Sequence, residues 1–334
     1  MTPADTKAAP STSRRFMYLA AFILLLIAGY SAGWYYLAGK LTERTKAVVA
    51  ALNHDGVTAE CGNMTVRGYP FRLGVYCDTI AYHGAGENDL FATLGGLRTA
   101  AQVYDPLKIV AEVNGPLRTR IPGKTQIWLD WDNLRGSARI ARPLPQRISL
   151  EASGLSAQTD PDDGDPVMLF SAGKAEAHLR PSGADVDVAG SFSELQIDAD
   201  TVGGRTLPVL AGTFDGTLAN GVALVQARQK SLRGQSGTVR DLGISLDADT
   251  GISVSGTFTV AEDGLLDADL KIAMRNPKGF ANALAVAAPE FASQINSGIA
   301  GLAFLGGAPE LPLKIVKGRA VLGFIPLGAI PPLL

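Results

Sequence analysis

Apolar and polar residues alternate along most of the chain, most plainly in "GISVSGTFTVAEDGLLDADLKIAM", residues 251–274. Ile252, Val254, Phe258 and Val260 share one parity, with Ser253, Ser255, Thr257 and Thr259 on the other. Asp263-Gly264 then turns the chain, and Leu266, Ala268, Leu270, Ile272 and Met274 alternate with Asp267, Asp269 and Lys271. A period of two on either side of a turn signal predicts an antiparallel hairpin. The same arrangement recurs in "KAEAHLRPSGADVDVAG", with a turn at Pro181 to Gly183, and in "GTFDGTLANGVALV", with a turn at Asn220-Gly221. Successive hairpins predict a mainly β fold: an antiparallel meander, forming a curved sheet or a sandwich. One face is apolar throughout, so a second sheet, curling or a ligand must cover it.

Two parts of the chain follow other periods. From Phe16 to Gly39 the run "FMYLAAFILLLIAGYSAGWYYLAG" carries no charge and is long enough, at 1.5 Å per residue, to cross ~30 Å of hydrocarbon. Signal peptides have shorter apolar regions and end in a small-residue cleavage site, and no lipobox cysteine follows this run. It is read as an uncleaved signal anchor, with Trp34, Tyr35 and Tyr36 as an interfacial belt. Leu41, Thr45, Val48 and Leu52 continue one helical face until Asp55-Gly56 stops it. Near the other end, "NPKGFANALAVAA" starts with Asn276 at a cap position and Pro277 at the first helical position. "PEFASQINSGIAGLAFL" puts Phe291, Ile295, Ile299 and Leu302 on one stripe. Both are too short to span a membrane and read as a C-terminal helical pair packed on the sheet. The expected division is a cytoplasmic tail (1–15), the anchor (16–39), a helical extension (40–55) and a β-rich periplasmic domain (56–334).

The only two cysteines bracket "CGNMTVRGYPFRLGVYC". Val57, Ala59 and Cys61 share a parity before "GYP", and Phe71, Leu73, Val75 and Cys77 share one after it. A hairpin symmetric about Tyr69 would place Cys61 opposite Cys77, close enough for a disulfide. Such a bridge contributes about 3 kcal/mol in the chain-entropy model and requires an oxidising compartment. The alternative is two buried free thiols. Basic residues balance across the anchor, with Lys7, Arg14 and Arg15 before it and Lys40, Arg44 and Lys46 after it. The cysteine pair therefore decides the orientation, with the body on the far side of the membrane.

Composition excludes more than it assigns. A formal net charge of −2 with scattered basic residues argues against nucleic-acid binding. His54, His83 and His178 are the only histidines, and G-x-S-x-G does not occur. The acidic loop Asp160, Asp162, Asp163 and Asp165 fails the EF-hand pattern, since its fifth and twelfth positions are Gly164 and Ser171. In "IWLDWDNLRGS", Trp131 falls on the core parity and Trp128 on the polar one. The reading is a protein with no catalytic residues, cofactor or metal.

The anchor, the following helix, "CGNMTVRGYPFRLGVYC", "WLDWDNLRGS" and the tail "GFIPLGAIPPLL" together resemble the domain of unknown function 2125 family of alphaproteobacterial envelope proteins. The resemblance covers nearly the whole chain and implies a single-pass protein of the bacterial inner membrane with its C-terminal domain in the periplasm. Two functional readings stay open. In one, the body is an interaction or scaffolding domain that binds another envelope protein. In the other, the sheet forms an AsmA-like groove for a lipid acyl chain, lined by Val254, Phe258, Leu266 and Leu270 and closed by the stripe Phe291, Ile295, Ile299 and Leu302. Small residues at Ala175, Ala177, Ala268 and Gly256 favour a wide interior.

Overall fold

The computed structural model describes residues 12–54, 56–84, 90–120, 125–159, 165–227, 229, 231–293 and 310–333. The alternating segments form a single antiparallel sheet, open and curved rather than closed. Its first hairpin pairs β1 (Thr58–Gly62) with β4 (Thr79–His83) and β2 (Thr65–Arg67) with β3 (Arg72–Cys77). β5 (Phe91–Leu94) and β6 (Leu97–Gln102) come next, then β7 (Asp105–Val113) and β8 (Leu117–Arg120), then β9 (Ile127–Asp130) and β10 (Asn133–Arg139). Each couple is one long strand broken in the middle, and both β9 and β10 pair with β11 (Arg147–Thr159). The meander continues through β12 (Met168–Ser182), β13 (Asp185–Ile197), β14 (Leu210–Leu218), β15 (Ser236–Ser245), β16 (Gly251–Val260) and β17 (Leu266–Arg275). It ends with β18 (Glu310–Val316), β19 (Arg319–Leu322) and β20 (Ile325–Ala329).

The breaks line up across the sheet as a crease. Asp78 N–H donates to Gly62 O at 2.8 Å, Asn114 N–H to Gly96 O at 2.7 Å and Asp132 N–H to Ser153 O at 3.0 Å. Beyond these, Gly154 has φ +61°, Gly173 lies against Glu194, and Glu194 has φ +55°. Glycine serves here because there is no room for more. A Cβ on Gly95 would meet the carbonyl oxygens of Gly115 and Asn114 at 2.5 and 2.6 Å. The indole of Trp131 fills the bend, only 8% exposed, and its Nε1 donates to Val113 O at 2.7 Å.

α1 (Thr12–Leu52) is one continuous helix of 41 residues, about 60 Å long. It contains an unburied window long and apolar enough to cross a membrane. Its upper half climbs the first hairpin from tip to base. Tyr30 Oη donates to Pro70 O at 2.5 Å, Trp34 Nε1 donates to Arg72 O at 2.9 Å, and Asn53 Oδ1 accepts from Ala59 N–H. Trp34 is thus not part of an open interfacial belt. It is 6% exposed, with its ring edge-on to Tyr69 at 5.5 Å, while Tyr35 and Tyr36 remain exposed.

Two other expectations need correction. The first hairpin exists, but Cys61 faces Ile80 and Cys77 faces Leu97, so the pairing is not symmetric about Tyr69. The left-handed Asn63, φ +49°, breaks the ladder, and the bend carries Cys61 diagonally to Cys77, where the Cα atoms are 5.3 Å apart in a disulfide. Asn220-Gly221 does not turn into a strand: α2 (Gly221–Gln226) follows, and the next strand to pair with β14 is β15. A short apolar run such as "VALV" does not by itself distinguish helix from strand. Of the helical pair, α3 (Pro277–Ala287) forms with Asn276 Oδ1 capping Gly279 N–H at 3.1 Å. The second segment is described only as a single turn at Pro289–Phe291 and the two residues after it. Ile295, Ile299 and Leu302 lie outside the described residues.

Candidate functional site

Pairing register fixes which side chains share a face. One row starts at Leu73 and runs through Ala101, Ile109, Ala138, Ile148, Leu179 and Val188. It continues through Gly216, Val239, Gly256 and Leu270 to Leu313 and Leu322. Every position in it is apolar or glycine. With strands about 4.8 Å apart, its twelve steps cover roughly 55–60 Å.

The adjacent row, Leu150, Ala177, Gly190, Phe214, Leu242, Val254 and Ile272, is the open one. Leu150 is 49% exposed, Phe214 38% and Leu242 46%. Between Leu150 and Phe214 stand only Ala177 and Gly190, which leave a notch two strands wide. Rings elsewhere lie flat over glycines: a Cβ on Gly212 would strike the Phe192 ring, and one on Gly237 would meet the Phe258 ring at 2.7 Å. Among the described residues, the branched side chains with almost no exposure are Val260, at 1%, and Val186, at 2%. This apolar face is a floor, not a closed core.

At its first strands the floor meets α1. Trp34, Leu37 and Leu41 of α1 enclose an apolar cavity of about 410 Å³ with Leu73, Val75 and Ile109.

The opposite face is charged. Arg98, Glu112, Arg135, Glu151 and Glu176 follow one another across β6, β7, β10, β11 and β12. Lys174 pairs with Glu176 and Glu151, which raises the Lys174 pKa, chiefly through the Glu176 hydrogen bond. Farther along, Arg240 grips Asp215 through Nε at 3.0 Å and Nη2 at 2.5 Å. The two faces therefore differ in chemistry along most of the sheet.

The sequence-derived groove residues fall on this floor in part. Val254, Phe258, Leu266 and Leu270 lie on the apolar face of β16 and β17, each half-buried. Phe291 is 55% exposed in its turn. The residues that sequence reasoning missed are Leu150, Phe214 and Leu242, whose alternation was visible but whose exposure depends on what lies above them.

The histidines do not converge. His54 Nδ1 lies 3.1 Å from Leu52 O at the end of α1, His83 packs against Phe91 at 4.7 Å, and His178 stands on the charged face. Among the described residues no group of three His, Cys, Asp or Glu side chains is placed to hold a metal. Residues 160–164 of the acidic loop lie outside the described residues. Trp131 is buried as its parity predicts, and Trp128 carries the Arg118 guanidinium 4.0 Å above its ring.

A family model described as an uncharacterized protein conserved in bacteria (DUF2125) matches residues 34–331, from Trp34 under the hairpin to the C-terminal tail. The chain belongs to this family. The match takes in the disulfide hairpin, the crease and the whole DUF2125 meander, and it leaves out most of the apolar span. No curated protein matches the chain.

Proposed function

We propose that this chain is a single-span protein of a bacterial inner membrane whose periplasmic sheet carries the acyl chain of a membrane lipid along its apolar floor. The supporting observation is the unbroken apolar row from Leu73 to Leu322, which begins beside the membrane helix and passes next to the exposed Leu150, Phe214 and Leu242. An acyl chain covering a few hundred Å² of that floor gains several kcal/mol at about 25 cal/mol per Å², enough to exceed association costs. The Cys61–Cys77 disulfide supports an oxidising compartment and hence the periplasmic side. The exposed middle row favours lipid carriage over a purely structural sheet, because such a patch requires a partner.

The test uses a photoreactive amino acid at Leu242 and, as a control, at its neighbour Asp241 on the charged face, in the full chain in bacterial membranes. A lipid-mass adduct at 242 and none at 241 is the expected result. Adducts to another protein at 242 would replace lipid carriage with the interaction-domain reading. Equal labelling at both positions, or none, would reject both.

A further inference from the structure

The first hairpin does not merely stand beside α1; its tip reaches down the helix into the apolar run. The Pro70 carbonyl at the tip accepts from the Tyr30 hydroxyl, Tyr69 Oη lies 2.8 Å from Ser31 Oγ, and Leu26 and Ile27 line a shallow apolar pocket with Tyr69, Pro70 and Phe71. Tyr30 is nine residues before the end of the uncharged run at Gly39, about 13 Å of helix. A run of 24 residues is about 36 Å long against ~30 Å of hydrocarbon. If α1 crosses a bilayer, the tip therefore lies below the level at which hydrocarbon gives way to headgroups.

Two neighbouring turns share this end of the sheet. Val103 N–H donates to Phe71 O at 3.0 Å, and Ile140 N–H donates to Leu107 O at 2.8 Å. Together the three turns present Phe71, Tyr104, Leu107 and Ile140, which are 66%, 75%, 54% and 40% exposed. Just behind them stand exposed Lys108, Arg139, Arg142 and Arg147, with Asp105 the single carboxylate across residues 67–72, 102–108 and 139–147. Arg139 reaches Asp105 at 3.5 Å. Apolar and aromatic tips backed by long basic side chains are the arrangement of a surface that inserts a few ångströms and meets anionic headgroups.

We infer that the turns at 68–71, 103–107 and 140–146 form a second membrane contact, seated in the bilayer surface beside α1 and holding the sheet upright on it. The contact rests on α1 being a membrane anchor and is independent of what the apolar floor carries.

The native cysteines are bonded to each other, so one added cysteine can carry a fluorophore. The full chain is placed in vesicles of phosphatidylethanolamine and phosphatidylglycerol containing a lipid-borne quencher. Labels go to Leu24→Cys in the span, Tyr104→Cys and Leu107→Cys at the rim, and Ala248→Cys in the exposed turn at the other end of the strands. Labels at 24, 104 and 107 are expected to be quenched several-fold more than the label at 248. If 104 and 107 match 248 while 24 is quenched, the rim stays in water and the inference fails. If 24 is not quenched, the anchor itself fails and the inference with it. Replacing Arg142 and Arg147 by Gln is expected to reduce quenching at 104, and unchanged quenching would remove the headgroup part of the contact. None of these readings depends on a lipid adduct at 242.

Discussion

Asp187 lies on the charged face between two guanidinium groups, Arg180 Nη2 at 2.8 Å and Arg240 Nη1 at 3.7 Å, and accepts from the Thr217 hydroxyl at 2.7 Å. These partners, the Arg180 hydrogen bond first, hold its carboxyl below the ordinary carboxylate range. Asp215 is lowered in the same way by Arg240. A carboxylate whose pKa is depressed on folding contributes stability that is fully present above the unfolded value, about 3.9, and is lost as pH falls through the folded one. Asp187→Asn is therefore expected to be less stable than the parent at neutral pH, by about 1 kcal/mol or less for a pair this open to solvent. The difference should narrow as pH falls below the unfolded value and through the folded one. Thermal melts across this acid range check this, and a difference that does not narrow in acid would show that charge is not the cause. The parity of these residues was legible in the sequence, since Arg180 and Asp187 flank the turn that pairs them. The Arg240 contribution was not, because the ladder between β14 and β15 shifts register between Asp215 and Gly216.

At the scale of elements, the crease is what makes one meander two-limbed. Gly95 faces backbone carbonyls that cannot rotate away, so Gly95→Ala is expected to cost about 1–3 kcal/mol, the usual range for overpacking. The measurement is the shift in denaturation midpoint, and an unchanged midpoint would mean that the bend tolerates a side chain. Strands and their faces were readable wherever period two ran unbroken, as in β16 and β17. The crease was not, because a glycine within a strand reads equally as a turn, a bulge or a weak spot. Only the alignment of Gly62, Gly95-Gly96, Gly115, Gly154 and Gly173 in neighbouring strands identifies a common fold line, and alignment is a property of register. The same limit explains the disulfide: the pairing of Cys61 with Cys77 was anticipated, but the route to it runs through the bend at Asn63.

For the whole molecule, the sequence distinguished an apolar face from a polar one but left open whether the apolar one was sealed. That depends on a second layer, and alternation is identical in a sandwich and in a single open sheet. The meander also has a consequence for how the chain folds. Apart from the broken couples, each described strand pairs only with its predecessor and successor among the described strands, so these pairings follow the order of the chain. Contacts of this local kind form early, and stability in such arrays is a sum over neighbours. A chain stopped after Arg275 is expected to keep β1 to β17 folded, with protease-resistant fragments matching those of the full protein, whereas collapse of the whole body would show that the last strands close the fold. If the polypeptide leaves a translocation channel N-terminus first, as the proposed location requires, the disulfide hairpin is complete before any later strand has emerged. It would then be a template held beside α1 on which the remaining strands are added one at a time, in the order of their synthesis.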